Sequence, residues 1–220
     1  MSTQNFRLDA RGLCILCLLV LACVGCRPEA KQTAFRKDSS ATFAAEKIEP
    51  WKFRCLDGSM IEPFSKSTTK AIVLVFIGTD CPIANAYHPK LQELENEFTE
   101  KGVEFFLIHS NSDVTLKEAE EHAAKYALTL PIVLDDNQRI ARRAGAKVTP
   151  ETFVFVPHQS APIYRGAIDN LYADYGKKRQ VVSEHYLRDC LRELLAGKQI
   201  TTPETKPLGC FLFYDPTPDT

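Results

Sequence analysis

The stretch Ile72-Val73-Leu74-Val75-Phe76-Ile77-Gly78-Thr79-Asp80-Cys81-Pro82 decides how this chain folds. Its first half is a continuous apolar run rich in β-branched residues, the mark of a strand buried on both faces. A short turn follows, then a cysteine, then a proline at the first position a helix offers to proline. Leu91, Leu94 and Phe98 continue at helical spacing, and Gly102 supplies a stop. A cysteine at a helix start lies among free backbone N–H groups and at the positive end of the helix dipole, and both favour its thiolate. The thiolate is the reactive form, so Cys81 is the first candidate for chemistry. Asp80 pulls the other way, because a carboxylate close to the thiol would raise its pKa.

Working outward, Val103–Ile108 reads as a second strand and Thr115–Tyr126 as a helix with Ala119, Ala123 and Tyr126 inward. Pro131–Leu134 is a short strand, Gln138–Ala144 a short helix, and Thr152–Val156 and Pro162–Arg165 are two further strands. Ser183–Ala196 is a final helix with Tyr186, Leu187, Cys190, Leu191, Leu194 and Leu195 on one face, ended by Gly197. This alternation predicts an α/β domain over 46–197, a central mixed sheet with helices on both faces. Residues 198–220 are proline-rich and read as an extended tail carrying Cys210, whose Phe211-Leu212-Phe213 triplet favours docking back on the domain. A second motif, Val148-Thr149-Pro150-Glu151-Thr152-Phe153, opens a strand with a proline. No ladder N–H is needed there and a cis bond is accessible.

The leader indicates the compartment. Arg7 and Arg11 precede an apolar run from Leu13 to Val24, shorter than the roughly 20 residues that span a bilayer and of the length of a signal-peptide core. Its end resembles a bacterial lipoprotein signal, with Cys26 or Cys23 as the lipidated residue. Residues 1–26 are therefore expected to be a lipoprotein-type signal peptide. Residues 27–45, polar and poor in apolar surface, are expected to be a flexible tether. The protein is expected to be exported and membrane-anchored on the extracytoplasmic side, periplasmic if the cell has an outer membrane. The net charge of −1 over 220 residues gives no reason to expect nucleic acid as partner, and Lys177-Lys178-Arg179 reads as a solvated turn. Cys14-x-x-Cys17 and Cys23-x-x-Cys26 sit in the apolar leader without His partners, so no zinc site is expected, and no cofactor.

A strand-Cys-Pro-helix with a later Thr-Pro-strand resembles the thioredoxin-like superfamily, over roughly Trp51 to Gly197. Within it the chain resembles redoxin domains of the alkyl hydroperoxide reductase/thiol-specific antioxidant type and extracytoplasmic thiol–disulfide oxidoreductase domains. The matching stretches are Phe53-x-x-x-Asp57-Gly58, GTDCPIANAYHPKLQELENEF from Gly78, Tyr164-Arg165-Gly166-x-Ile168-Asp169 and Lys206-Pro207-Leu208-Gly209-Cys210. The resemblance implies Cys81 as attacking cysteine, Pro150 as a cis proline beside it and Cys210 as a candidate partner, with Thr79, Asp80, Pro82 and Thr149 around them. His109 ends a strand at the same sheet edge and is a candidate to lower the thiol pKa or relay protons.

Three departures narrow the chemistry. Position 84 is Ala84, which excludes a dithiol within one helix turn. Gly78 and Leu74 stand where a peroxiredoxin has its Thr and Pro, and Asn85 stands where a copper-chaperone relative has a second cysteine. Cys55 and Cys190 read as small buried hydrophobes, and His88 as a surface or packing histidine. Asn85, Arg165 and Asp169 are weaker candidates for the cleft. A free thiol at Cys210 in an oxidising compartment needs a partner, either Cys81 in a resolving role or Cys55 as a static staple. The leading expectation is a thiol–disulfide oxidoreductase acting on protein thiols or disulfides. A peroxiredoxin-like enzyme acting on a peroxide and a non-catalytic binding module with a permanent disulfide are the alternatives.

Overall fold

The computed structural model describes residues 50–216; the expected signal peptide, its lipidated Cys26 or Cys23, and the tether lie outside the described residues. The apolar run forms β3 (Ala71–Ile77), buried along its whole length. It lies between β4 (Val103–His109), parallel to it, and β7 (Glu151–Phe155), antiparallel. With β1 (Phe53–Cys55), β2 (Met60–Ile61), β5 (Ile132–Leu134) and β8 (Tyr164–Gly166) this makes a seven-stranded sheet in the order β2-β1-β5-β4-β3-β7-β8. The sheet is mixed, as the sequence predicts. Parallel pairing is confined to β3, β4 and β5, the strands joined through helices.

Alternate residues of β3 face opposite layers. Val73, Val75 and Ile77 pack with Leu91, Leu94, Phe98, Leu187 and Leu191, while Ile72, Leu74 and Phe76 pack with Ile140, Ala141 and Phe153. The first set comes from α2 (His88–Phe98) and α5 (Tyr186–Leu195); in the second, Ile140 and Ala141 come from α4 (Arg139–Ala144) and Phe153 from the neighbouring strand β7. A strand whose two faces are both apolar therefore carries a helix layer on each side, which is why its sequence does not alternate.

The helix after Cys81 is broken where one continuous helix was expected. α1 (Pro82–Ala86) ends at Tyr87, and α2 restarts at His88 with Pro89 in its first turn, where a missing N–H costs nothing. The last helix begins at Tyr186 rather than Ser183, because the Asn170 side chain accepts from the N–H groups of Ser183 (3.1 Å) and Glu184 (3.2 Å). Of the stretch read as a solvated turn, Lys177 and Lys178 are exposed but form β10 (Lys177–Lys178), paired with β9 (Tyr172–Asp174) in a hairpin. Among the described residues, no helix is long and apolar enough to cross a membrane.

Beneath the Cys81 turn three buried imidazoles meet. His122 on α3 (Leu116–Lys125) lies with its ring centre 5.6 Å from that of His88 and 5.2 Å from that of His109. His88 is thus a buried packing residue. The Asn85 amide donates from Nδ2 to the Thr79 carbonyl (3.0 Å), leaving its Oδ1 to accept from Nε2 of His122 (2.8 Å) and Nε2 of His88 (3.2 Å). Both rings therefore carry their proton on Nε2. Neither ring nitrogen of His109 has a hydrogen-bond partner among the described residues. Burial, reinforced by the neighbouring His122, holds His88 down at about 4 and His109 at about 3, and burial also lowers His122.

These folded-state values lie below the ordinary imidazole range, so below about pH 6.5 the unfolded chain takes up protons that the folded chain refuses. The cluster's stabilisation is therefore whole above that pH and is lost as pH falls toward 4. Urea unfolding should show stability dropping by on the order of 2 kcal/mol per such histidine between pH 7 and pH 5. His109→Leu should flatten that slope; a slope unchanged by the substitution would show that His109 is not among the groups that titrate.

Candidate functional site

Cys81 caps α1. Its backbone is extended (φ −82°, ψ 105°), and its sulfur accepts from the Ala84 N–H at 3.4 Å, with Pro82 occupying the first turn. The thiol is 3% exposed and donates to the Thr149 carbonyl at 2.9 Å. That carbonyl belongs to the Thr149–Pro150 peptide, which is cis, and the residues before it form β6 (Val148–Thr149). The tail returns here. β11 (Cys210–Phe211) pairs antiparallel with β6, Cys210 opposite Thr149 and Phe211 opposite Val148. Cys210 is thereby brought to the same cleft wall as Cys81.

The tail is docked along more of its length than an extended tail would be. Arg165 N–H donates to the Pro203 carbonyl (3.0 Å) and Thr205 N–H to the Arg165 carbonyl (3.0 Å), and Leu212 is buried while Phe211 and Phe213 on either side are exposed. Gly209 lies so close to the cis peptide that a Cβ would come within 2.0 Å of the Thr149 carbonyl oxygen. Only a residue without a side chain brings the strand in at that distance.

The electrostatics distinguish the four described cysteines. Burial pushes the Cys81 thiol up, but hydrogen bonds from the Ala84 N–H, the Cys210 thiol, the Thr149 side chain and the Cys210 N–H outweigh it, and the thiol lies below its ordinary range. Cys210 moves the opposite way, to about 11, through burial first and then its hydrogen bond to Cys81 and the Cys81 charge. Burial raises Cys190 to about 12 and also raises Cys55. Cys55 has Ser59 and Asp57 as its polar neighbours, whereas the neighbour of Cys210 is Cys81.

The cleft above Cys81 has a volume of about 390 Å³, and Thr79, Asp80, Cys81, Thr149, Cys210 and His122 are among its lining. Asp80 is exposed, and its charge raises the pKa of His122 against the lowering by burial. His109 lies behind the cleft rather than in its lining; the imidazole that reaches the wall is His122. Nothing local in the sequence marks His122, which comes from a helix half of whose residues are charged and is brought in by packing. Asp169 and Arg165 are directed elsewhere: Asp169 accepts from the Tyr87 hydroxyl (2.7 Å), and Arg165 pairs with Glu204. Asp113, Glu118 and Glu121 join Asp80 at the rim against a single Lys125. Among the described residues, no group of three or more His, Cys, Asp or Glu side chains is arranged to hold a metal ion.

The chemical capacity of this arrangement is that of a low-pKa thiolate with a second, protonated thiol in contact. Gly209→Ala should lift the tail strand from the cis peptide, remove two of the four hydrogen bonds that favour the Cys81 thiolate, and move the Cys81 alkylation midpoint to higher pH. An unchanged midpoint in that variant would show that the tail does not tune Cys81.

Comparison with known proteins finds thiol–disulfide oxidoreductases among the relatives of this chain. Thiol-disulfide oxidoreductase ResA of Halalkalibacterium halodurans is 28% identical over 125 residues, which are 56% of this chain and 69% of that protein. The ResA of Bacillus thuringiensis is 30% identical over 99 residues, 45% of this chain and 56% of that protein. Among solved structures, an uncharacterized conserved protein from Geobacillus kaustophilus superposes with a TM-score of 0.66 at 23% identity, covering 78% of this chain and 92% of its own. A hypothetical protein from Sinorhizobium meliloti superposes with a TM-score of 0.65 at 21% identity, covering 76% and 92%. These two likenesses show the fold. The Redoxin family model matches residues 46–160, more than half of the sequence, and the chain belongs to the Redoxin family.

Proposed function

We propose that this protein is an extracytoplasmic thiol–disulfide oxidoreductase, tethered to the membrane through a lipidated leader cysteine, with Cys81 as nucleophile and Cys210 as resolving thiol. The observation that carries the reading is that Thr149 holds both cysteines at one cleft, its carbonyl accepting from the Cys81 thiol at 2.9 Å and its backbone pairing with Cys210. The Cys81 thiol is lowered and the Cys210 thiol raised, in keeping with a nucleophile and a resolving thiol. The similarity to ResA proteins supports the reaction class, and the Arg-flanked apolar leader supports the compartment.

The Cys81 thiolate attacks one sulfur of a substrate protein disulfide, forming a mixed disulfide and releasing the other substrate sulfur as a thiolate that takes up a proton. Two of the influences that hold Cys210 protonated then disappear, since Cys81 no longer carries charge and no longer accepts from the Cys210 thiol. Cys210 loses its proton, attacks the Cys81 sulfur and expels the second substrate thiolate. The substrate disulfide gains two electrons and the protein dithiol becomes the Cys81–Cys210 disulfide. Run backward, the same steps oxidise a substrate dithiol, and the compartment's redox poise sets the direction. The acidic rim favours substrates with cationic residues flanking their cysteines.

Incubation with glutathione disulfide tests the roles. Cys210→Ser should accumulate a glutathione adduct on Cys81, and the wild type should pass through that adduct to the intramolecular disulfide. Cys81→Ser should react more slowly by roughly tenfold or more, since the exposed Cys210 that remains lacks the helix-start donors that favour a thiolate. Cys81 alkylation in the wild type should reach half its maximal rate below the pH usual for cysteine. Equal turnover by Cys210→Ser and wild type would contradict the resolving role.

A further inference from the structure

Cys210 meets Cys81 through a ladder of only two residues on each strand, Cys210–Phe211 against Val148–Thr149. Pairing that short is marginal by itself, so the segment beyond it must be held if the thiol is to stay in place. It is held at every residue from 212 to 215. Leu212 donates its N–H to the Lys147 carbonyl (2.9 Å), and the Tyr214 hydroxyl donates to the Ala146 carbonyl (2.6 Å). The remaining two grips converge on one side chain. Gln138 Nε2 donates to the Phe213 carbonyl (2.7 Å), and Gln138 Oε1 accepts from the Asp215 N–H (2.8 Å).

Gln138 is 1% exposed and anchored inward as well, its Nε2 donating to the Ser110 carbonyl (2.9 Å) just beyond β4. Its amide thus bridges the end of a central strand to the tail backbone at two alternate residues. Phe213 and Asp215 present their backbone groups on the same side, as alternate residues of an extended chain do. Arg142 reinforces the bridge, donating both to Gln138 Oε1 (3.2 Å) and to the Asp215 carbonyl.

We propose that Gln138 is the positioning residue of the redox pair: by gripping the tail at Phe213 and Asp215 it holds Cys210 beside Cys81. The inference rests on the reading that these two cysteines exchange a disulfide. Gln138 touches neither sulfur. It acts on the volume that the Cys210 thiol samples, and so on the effective concentration of one thiol at the other. That concentration sets how strongly the intramolecular disulfide forms against a bimolecular thiol pair.

The test uses the full chain and the equilibrium in which protein dithiol plus glutathione disulfide gives protein disulfide plus two glutathione. Gln138→Ala should lower the equilibrium constant about tenfold, an upward shift in potential of about 30 mV. Tyr214→Phe removes only the hydroxyl grip, on a residue at the surface, and should lower the constant about two- to threefold by the same loss of effective concentration. If Gln138→Ala fails to fold, Tyr214→Phe carries the test alone. A wild type that forms a Cys81–Cys210 bond, with the folded variants within twofold of its constant, overturns the positioning role. A wild type that forms no such bond at any glutathione ratio overturns the underlying redox reading instead.

Discussion

One peptide unit, the cis Thr149–Pro150 bond, is the point on which the rest of the site depends. Its carbonyl oxygen accepts from the Cys81 thiol, and Gly209 packs against the same carbonyl. Thr149 is paired across a short ladder with Cys210. The two cysteines lie far apart in sequence and come from a helix start and a tail strand, and they meet because both are built against this residue. The thiolate is stabilised by the same convergence: the Ala84 N–H comes from its own helix, and the other hydrogen bonds come from Thr149 and from Cys210. The balance against desolvation depends on groups contributed by three separate segments, so disturbing the tail disturbs the Cys81 thiol.

The contrast with the other buried thiols makes the physical point. Cys190 is as deeply buried as Cys81 but packs within an apolar layer, and burial, with the Glu193 charge adding to it, carries it to about 12. Burial does not make a cysteine reactive. A helix start and oriented donors do. The same contrast applies to the histidines, which lie near the site but are held neutral by burial and by one another, and so add bulk beneath the turn rather than positive charge beside the sulfur.

Much of this was legible before any coordinates. The apolar run, the following Cys81-Pro82 and the later Thr149-Pro150 are local signals, each decided by a few neighbouring residues, and they place the strand, the helix start and the proline correctly. The triplet after Cys210 carried a weaker message: one apolar residue, Leu212, buries itself while its neighbours face outward, the alternation of a strand at a surface. Long-range contacts were not legible. Gln138, His122 and the shared acceptor on Asn85 acquire their roles only when distant segments fold together, and no spacing in the sequence records that. Nor does adjacency in sequence decide where the Asp80 carboxylate lies: it is exposed, and its charge acts on His122.

The central claim is that Cys81 and Cys210 form a reversible disulfide while the other domain cysteines do not take part. Disulfide mapping by mass spectrometry, on native protein oxidised with glutathione disulfide and quenched with acid, tests it most directly. The account predicts a single Cys81–Cys210 bond, with Cys55 and Cys190 recovered as free thiols. Recovery of Cys81 as a free thiol after full oxidation, or of Cys210 bonded to Cys55, would contradict it.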